Sequence, residues 1–318
     1  MTKMENSKKD SKFISLVIYL HNAHGEIVPF LEKTIPTFER QFSEFEIIFV
    51  NDGCTDGTIE ELREYLENSD APAMINIVHM SFFHGRESAM NAGRDIAIGD
   101  FVYEFDTLDV DYQSELLLQV YEKLMEGSDI VAAAPRNGTR LTSKFFYTLY
   151  NMTSRSRGGK IRTETFRIVS RRAINRVKSM GQYIPYRKAV YANCGLHTDV
   201  ILYDTMGKKK EKKYVRERFS LALDSFIYFT NVLETVSLIG CVFFLILTVG
   251  VGIYIARDFF SNNPVAEGWM STMGFMALGF FGIFVLLTII LKYLSVILNL
   301  IFKKQNYLIS DIEKVVKE

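Results

Sequence analysis

The chain has 318 residues, enough for one full core plus an appended module at roughly 150 residues per domain. Lys+Arg 37 and Asp+Glu 37 cancel to a formal net charge of +0, so no nucleic-acid partner is expected and any basic surface is local. A hydrophobic share of 48% and a charged share of 23% exclude disordered and collagen-like chains, and the cysteines, Cys54, Cys194 and Cys241, lack the spacing of a disulfide framework or zinc site.

Residues 1–12 read as a polar tail. The apolar FISLVIYL that follows has no small-residue cleavage site, so it reads as a first strand rather than a signal peptide. Strand-like runs recur at Phe13–Leu20, Phe45–Val50, Ala73–Met80, Phe101–Phe105 and Asp129–Ala134, separated by helical patterns at Glu26–Phe42, Thr58–Leu66, Glu87–Ile98 and Ser114–Met125. This alternation predicts an α/β domain over 13–213, a mostly parallel sheet flanked by helices. Ligands of such sheets bind beyond the carboxyl ends of strands, which selects the loops His21–Gly25, Asn51–Gly57 and Asp106–Asp111.

Each loop has a structural and a functional reading. In NDGCTDGT, Gly53 and Gly57 suit a turn and Thr58-x-x-Glu61 a capping box, while Asp52 suits hydrogen bonding to a base or ribose. In DTLDVD, the carboxylates are either a solvated turn before a helix or ligands of a divalent metal bridging a diphosphate, with Asp111 or Ser114 available as a cap. His21 and His24 lack a third ligand nearby, so a zinc-type site is not expected. Arg136, Arg140, Arg155, Arg157, Arg162 and Arg167 form either an exposed basic face or a set of guanidinium forks for phosphate at a bilayer surface.

Downstream, 214–234 has apolar residues near helical spacing beneath a Lys cluster and is expected to be an interfacial amphipathic helix. Thr235–Ile255 and Gly274–Leu291 are charge-free runs near the length that crosses a ~30 Å hydrocarbon core, so 235–296 is read as two transmembrane helices with a short outside loop. Basic residues precede the first run and follow the second, which places both termini on the cytoplasmic side of a plasma (inner) membrane. Neither run carries an ionisable residue, as a transport path would. Residues 297–318 alternate apolar and charged positions and are expected to form a cytoplasmic amphipathic helix.

The order of motifs resembles the polyprenyl-phosphate glycosyltransferases, the group within glycosyltransferase family 2 that includes dolichyl-phosphate mannose synthase and bacterial glucosyl and aminosugar relatives. SLVIYLHNAHGEI is similar to the opening strand and V-P-x-Y-N-E loop, VNDGCTDGT to V-D-D-G-S-x-D-G-T, HGRESAMNAGRDIAIGDFVYEFD to the stretch ending at the metal loop, ETFRIVSRRAI to G-D-F-R-L-x-D-R-R-V, and KKYVRERFSLALDSFIYF to the juxtamembrane segment. The resemblance implies a GT-A-like fold and inverting transfer of a sugar from a nucleotide-sugar donor to polyprenyl phosphate at the cytoplasmic leaflet of the bilayer, in a homo-oligomer. It implies nucleotide-binding roles for Asn22, Asn51, Asp52 and Arg86, and a metal, Mg²⁺ or Mn²⁺, on Asp106 and Asp109 with Asp111 as a further ligand. Arg136, Arg167 and Lys213 fall at the lipid phosphate, and Asp106, Arg136 and Arg167 carry catalysis. Departures from the pattern gather at chemical positions: Ala23 for an acidic residue, Asn51 for the first Asp of D-D-G, Leu108 and Val110 for two metal-loop positions, and Thr165 for the acid before F-R. They motivate a second reading, a catalytically silent scaffold or regulator of a glycan assembly complex.

Overall fold

The computed structural model describes residues 9–69, 74–136, 147–148, 161–180, 186–206, 269–302 and 307–315, with single helical positions at 239, 242, 246, 250 and 253. Two compact units are distinguished: one holds 1–152, 156–221 and 304–318, the other 153–155 and 222–303.

In the first unit, strands and helices alternate as β1 (Ile14–Leu20), α1 (Ile27–Gln41), β2 (Phe45–Asn51), α2 (Thr58–Asn68), β3 (Met74–Met80), α3 (Arg86–Ile96), β4 (Phe101–Phe105), α4 (Glu115–Met125) and β5 (Ile130–Pro135). There follow β6 (Phe166–Ser170), α5 (Arg171–Met180), α6 (Arg187–Asn193) and β7 (Thr198–Tyr203), and, after the second unit, β8 (Ile309–Val315). The eight strands form one sheet in the order β7-β5-β6-β4-β1-β2-β3-β8. β1 pairs parallel with β2 and β4, and β2 parallel with β3, as the crossover pattern predicts. β6 runs antiparallel between β4 and β5, and β8 antiparallel on β3, so the sheet is mixed at both flanks.

Central parallel strands are covered on both faces, which is why β1 and β2 read as near-continuous apolar runs. One face packs Leu16, Ile18, Tyr103, Phe105 and Ile168 against α1, α2 and α4, with Phe38 edge-on to Tyr103. The other face takes α3 through Gly93, where a Cβ would fall 2.5 Å from Val50 Cγ2 and 2.6 Å from Val17 Cγ1. No larger residue fits there, so Gly93 sets how closely α3 lies over the strands whose ends carry the candidate site.

Three expectations are corrected. Residues 297–318 are not one amphipathic helix: helix runs to Phe302 and Ile309–Val315 is a strand, because β3 leaves an edge of unpaired backbone groups that an extended segment satisfies. Arg63 anchors that strand with Nη2 2.8 Å from Glu313, and Tyr307 donates to Asp95 at 2.6 Å. Of the expected polar tail, Asp10 is docked, bridging Phe42 and accepting from Tyr121 Oη at 2.6 Å. Thr58 and Glu61 do not form a capping box: Thr58 Oγ1 accepts from Ala23 N–H at 2.8 Å and Glu61 from Gly25 N–H at 2.7 Å, tying the loop after β1 to α2.

The second unit contains α7 (Trp269–Phe302), 34 residues with Lys292 as its only charge. Counting only residues whose side chains are described, no helix offers an apolar window long enough to cross a membrane. The expected interfacial helix at 214–234 lies outside the described residues, as does the first expected span except for its single helical positions.

Candidate active site

The carboxyl ends of β1, β2 and β3 bring one cluster together. Asp52, directly after β2, is fully buried, and both carboxylate oxygens are engaged: Oδ2 accepts from Tyr19 Oη at 3.0 Å and Oδ1 from His84 N–H at 2.7 Å. The expected nucleotide residue is therefore also the pin that fixes the loop after β3. Asn51 Oδ1 accepts from Cys54 N–H at 2.9 Å, closing the turn, while its Nδ2 reaches His79 Nδ1 at 3.0 Å. Asn22 holds a left-handed backbone (φ 48°) and accepts from Thr55 N–H at 2.9 Å, joining the first two loops. Burial pushes the neighbouring Cys54 thiol up to about 11. Beyond these anchors, Phe83 is exposed with its ring 4.4 Å from that of His21.

A second cluster lies where β4, β6 and α6 meet. Glu104 and Arg167 are register partners across β4 and β6, so their side chains leave the same face of the sheet, opposite the aromatic core. Arg167 donates from Nε to Glu164 at 3.0 Å, from Nη1 to Glu104 at 3.0 Å and from Nη2 to Asp106 at 3.1 Å. Arg187, from α6, is 0% exposed and donates from Nε to Glu87 at 3.0 Å, from Nη1 to Glu104 at 2.8 Å and from Nη2 to Asp106 at 2.6 Å. Tyr191 completes it, donating to Glu104 at 2.6 Å with its ring 5.6 Å from the Arg167 guanidinium. The result is a buried lattice in which each oxygen of Asp106 and of Glu104 accepts at least one bond.

This lattice decides the protonation of Asp106. Burial alone would raise its pKa, but Arg187 and then Arg167 outweigh that and hold the carboxyl well below the usual carboxylate range. Arg86 and Lys188, both half-buried, add to the same effect from the rim.

The expected metal ligands do not assemble. Asp106 has both oxygens in ion pairs with guanidiniums, Leu108 is packed into the hydrophobic core, and Asp111 accepts from Tyr203 Oη at 2.6 Å. Asp109 is half-buried, and among the described residues no group of three or more His, Cys, Asp or Glu is arranged to hold a metal ion. The residues present do not fit the ion. The Thr165 departure has a local partner: with Tyr203 donating to Asp111, Thr165 Oγ1 donates to Tyr203 Oη at 2.5 Å.

Arg136 is not brought to Arg167; it is exposed after β5, with Nη1 3.7 Å from Asp204. Lys213, Arg140, Arg155 and Arg157 lie outside the described residues. Beside Arg167 and Tyr191 a cavity of about 370 Å³ opens, with Arg162, Glu164 and Lys188 in its lining. Glu87, Glu104, Arg187 and Tyr191 were not singled out by sequence reasoning; Glu104 alone carried a signal, a charge inside the apolar strand FVYEF.

The model of the family described as "Glycosyl transferase family 2" matches residues 15–191. An uncharacterized glycosyltransferase of Synechocystis is 26% identical over 320 residues, 94% of this chain and 95% of that one. A prophage bactoprenol glucosyl transferase homolog of Escherichia coli is 33% identical over 199 residues, 60% of this chain and 62% of that one, so the chain spans about three-fifths of that relative's length. Among solved structures, the fold is similar to a mannosyltransferase from Pyrobaculum calidifontis in complex with GDP-Man and Mn²⁺, with TM-score 0.51, 15% identity and coverage of 93% and 88% of the two chains.

Proposed function

The chain belongs to glycosyl transferase family 2 and is a hexosyltransferase, and from that premise we propose that it moves a sugar from a nucleotide-sugar to polyprenyl phosphate at a membrane surface. The similarity to a bactoprenol glucosyl transferase homolog carries the acceptor assignment. A membrane location is supported by apolar side chains that water would not favour: Ile239, Val242, Ile246 and Ile253 are all exposed and spaced along one helical face, and Ile283 and Ile290 of α7 are about as exposed.

The chemistry suits a site without a strong general base. A phosphate monoester is ionised near neutral pH, so one of its oxygens attacks the anomeric carbon without first losing a proton. The bond from that carbon to the nucleoside diphosphate breaks, and the diphosphate departs with the electron pair. Attack opposite the leaving group inverts the anomeric centre, and holding the two reactants in line supplies most of the acceleration. The loops pinned by Asp52 form the donor end in this reading, and the rigid lattice of Asp106, Glu104, Arg167 and Arg187 fixes the strand end beside it.

Membranes containing the chain, given polyprenyl phosphate and a panel of labelled UDP- and GDP-sugars with and without Mg²⁺ or Mn²⁺, are expected to place label in organic-extractable lipid only when the polyprenyl phosphate is added. No label from any donor, with the E. coli relative active in parallel, would refute the assignment.

A further inference from the structure

In the chemistry proposed above, negative charge builds on the departing diphosphate and something positive must meet it. A divalent ion is one answer, but the place for it is closed: Arg187 and Arg167 take Asp106 Oδ1 and Oδ2, and Leu108 stands where a second carboxylate would be needed. Those two guanidiniums are almost wholly buried and committed to Glu87, Glu104, Glu164 and Asp106. They pair with the acidic strand end without facing solvent. Two further cations among the described residues adjoin this lattice in the chain. Arg86, the first residue of α3, adjoins Glu87, which accepts from Arg187, and Lys188 of α6 adjoins Arg187 and lines the cavity with Glu164 and Arg167; both are half-exposed, and neither forms a hydrogen bond or ion pair with a described residue. Two guanidiniums set against the four carboxylates Glu87, Glu104, Glu164 and Asp106 leave this cluster two positive charges short, which is the charge a divalent ion would bring and the charge that Arg86 and Lys188 carry.

We infer that this chain binds the diphosphate of its donor without a divalent cation, Arg86 and Lys188 supplying at the rim the positive charge that a metal would bring. The inference rests on the nucleotide-sugar reading, and the experiment separates the two. UDP and GDP are titrated by calorimetry into the detergent-solubilised full chain, once in EDTA and once in Mg²⁺ or Mn²⁺, while electron paramagnetic resonance follows free Mn²⁺. The expected result is one nucleotide binding with a Kd within about threefold in the two conditions, and a free-Mn²⁺ signal lowered no further by the chain with nucleotide than by the nucleotide alone, because the charge-assisted bonds come from side chains. Arg86→Gln together with Lys188→Gln, surface changes that leave the lattice intact, is expected to weaken binding in EDTA by about tenfold or more. Binding that appears only with the cation, or an affinity unmoved by the double substitution, overturns the inference while leaving the donor reading standing. If neither nucleotide binds in any condition, the donor reading itself fails and this inference with it.

Discussion

Replacing Arg187 by Met tests whether the lattice organises the α/β unit. The side chain is 0% exposed and makes ion pairs with Glu87, Glu104 and Asp106, so a neutral side chain of similar reach leaves acidic groups buried beside a single guanidinium, Arg167. Breaking a buried pair from one side costs about 3–5 kcal/mol, since the abandoned charge must be solvated, protonated or paired anew. For a unit of this size each kcal/mol corresponds to about 2–4 °C, so the melting temperature should fall by about 6–20 °C. Calorimetric unfolding of the detergent-solubilised chain measures this. Arg136→Met is the matched control, because Arg136 is 59% exposed and reaches Asp204 only at 3.7 Å, and should shift stability by less than about 1 kcal/mol. A fall of under about 2 °C for Arg187→Met would refute the reasoning, because on this scale it is below about 1 kcal/mol and no more than a surface pair provides.

Two further outcomes follow from the packing and from the C-terminal strand. Gly93→Ala places a Cβ 2.5 Å from Val50 Cγ2 and 2.6 Å from Val17 Cγ1, and overpacking of this kind should cost about 1–3 kcal/mol in a denaturant titration. Glu313 is held below its ordinary carboxyl range, first by bonds donated from Arg63 and also by His79, with burial opposing. A depressed carboxyl contributes stability that is present above its unfolded pKa and lost as pH falls through the folded value. Rate-corrected hydrogen-exchange protection of Ile309–Val315 should therefore hold from neutral pH to about 5 and weaken below about 4, and Glu313→Gln should flatten that dependence.

The central elements were legible because buried parallel strands are continuous apolar runs that turn residues punctuate, as at FEIIFVN before DG. β8 was not, because Leu308, Ile312 and Val315 fit helical spacing, and only the open edge of β3 selects the extended form. In the site, Asp52, Asp106 and Arg167 stood out as charges at strand ends, and the structure gives each a buried network. Their occupancy was hidden. Arg187 lies 81 residues beyond Asp106 on a short helix without a motif of its own, and nothing local in PYRKAVYAN announces a buried guanidinium. A sequence read for ligands sees an acidic strand end and supplies a metal, whereas the folded chain has already supplied two arginines.

The return of β8 to the sheet bears on the membrane. Residues 207–306 depart after β7 and come back to the edge of the same α/β unit, so whatever bilayer this stretch enters, it must cross an even number of times. Two crossings are what the charge-free runs Thr235–Ile255 and Gly274–Leu291 predict from the sequence. On the membrane reading proposed above, Lys208, Lys209 and Lys210 before the first run and Lys303 and Lys304 after the second predict that the α/β unit faces the cytoplasm. Single cysteines introduced as Ser7→Cys, Ser261→Cys and Glu318→Cys, with Cys54, Cys194 and Cys241 replaced by Ser, separate the possibilities. In intact cells a membrane-impermeant maleimide should label only Ser261→Cys, and the other two should react after permeabilisation. Labelling of Ser7→Cys but not Glu318→Cys in intact cells would mean an odd number of crossings, which the pairing of β8 with β3 forbids; protection of Ser261→Cys in intact cells but not after permeabilisation would remove the outside loop and with it the two-span anchor.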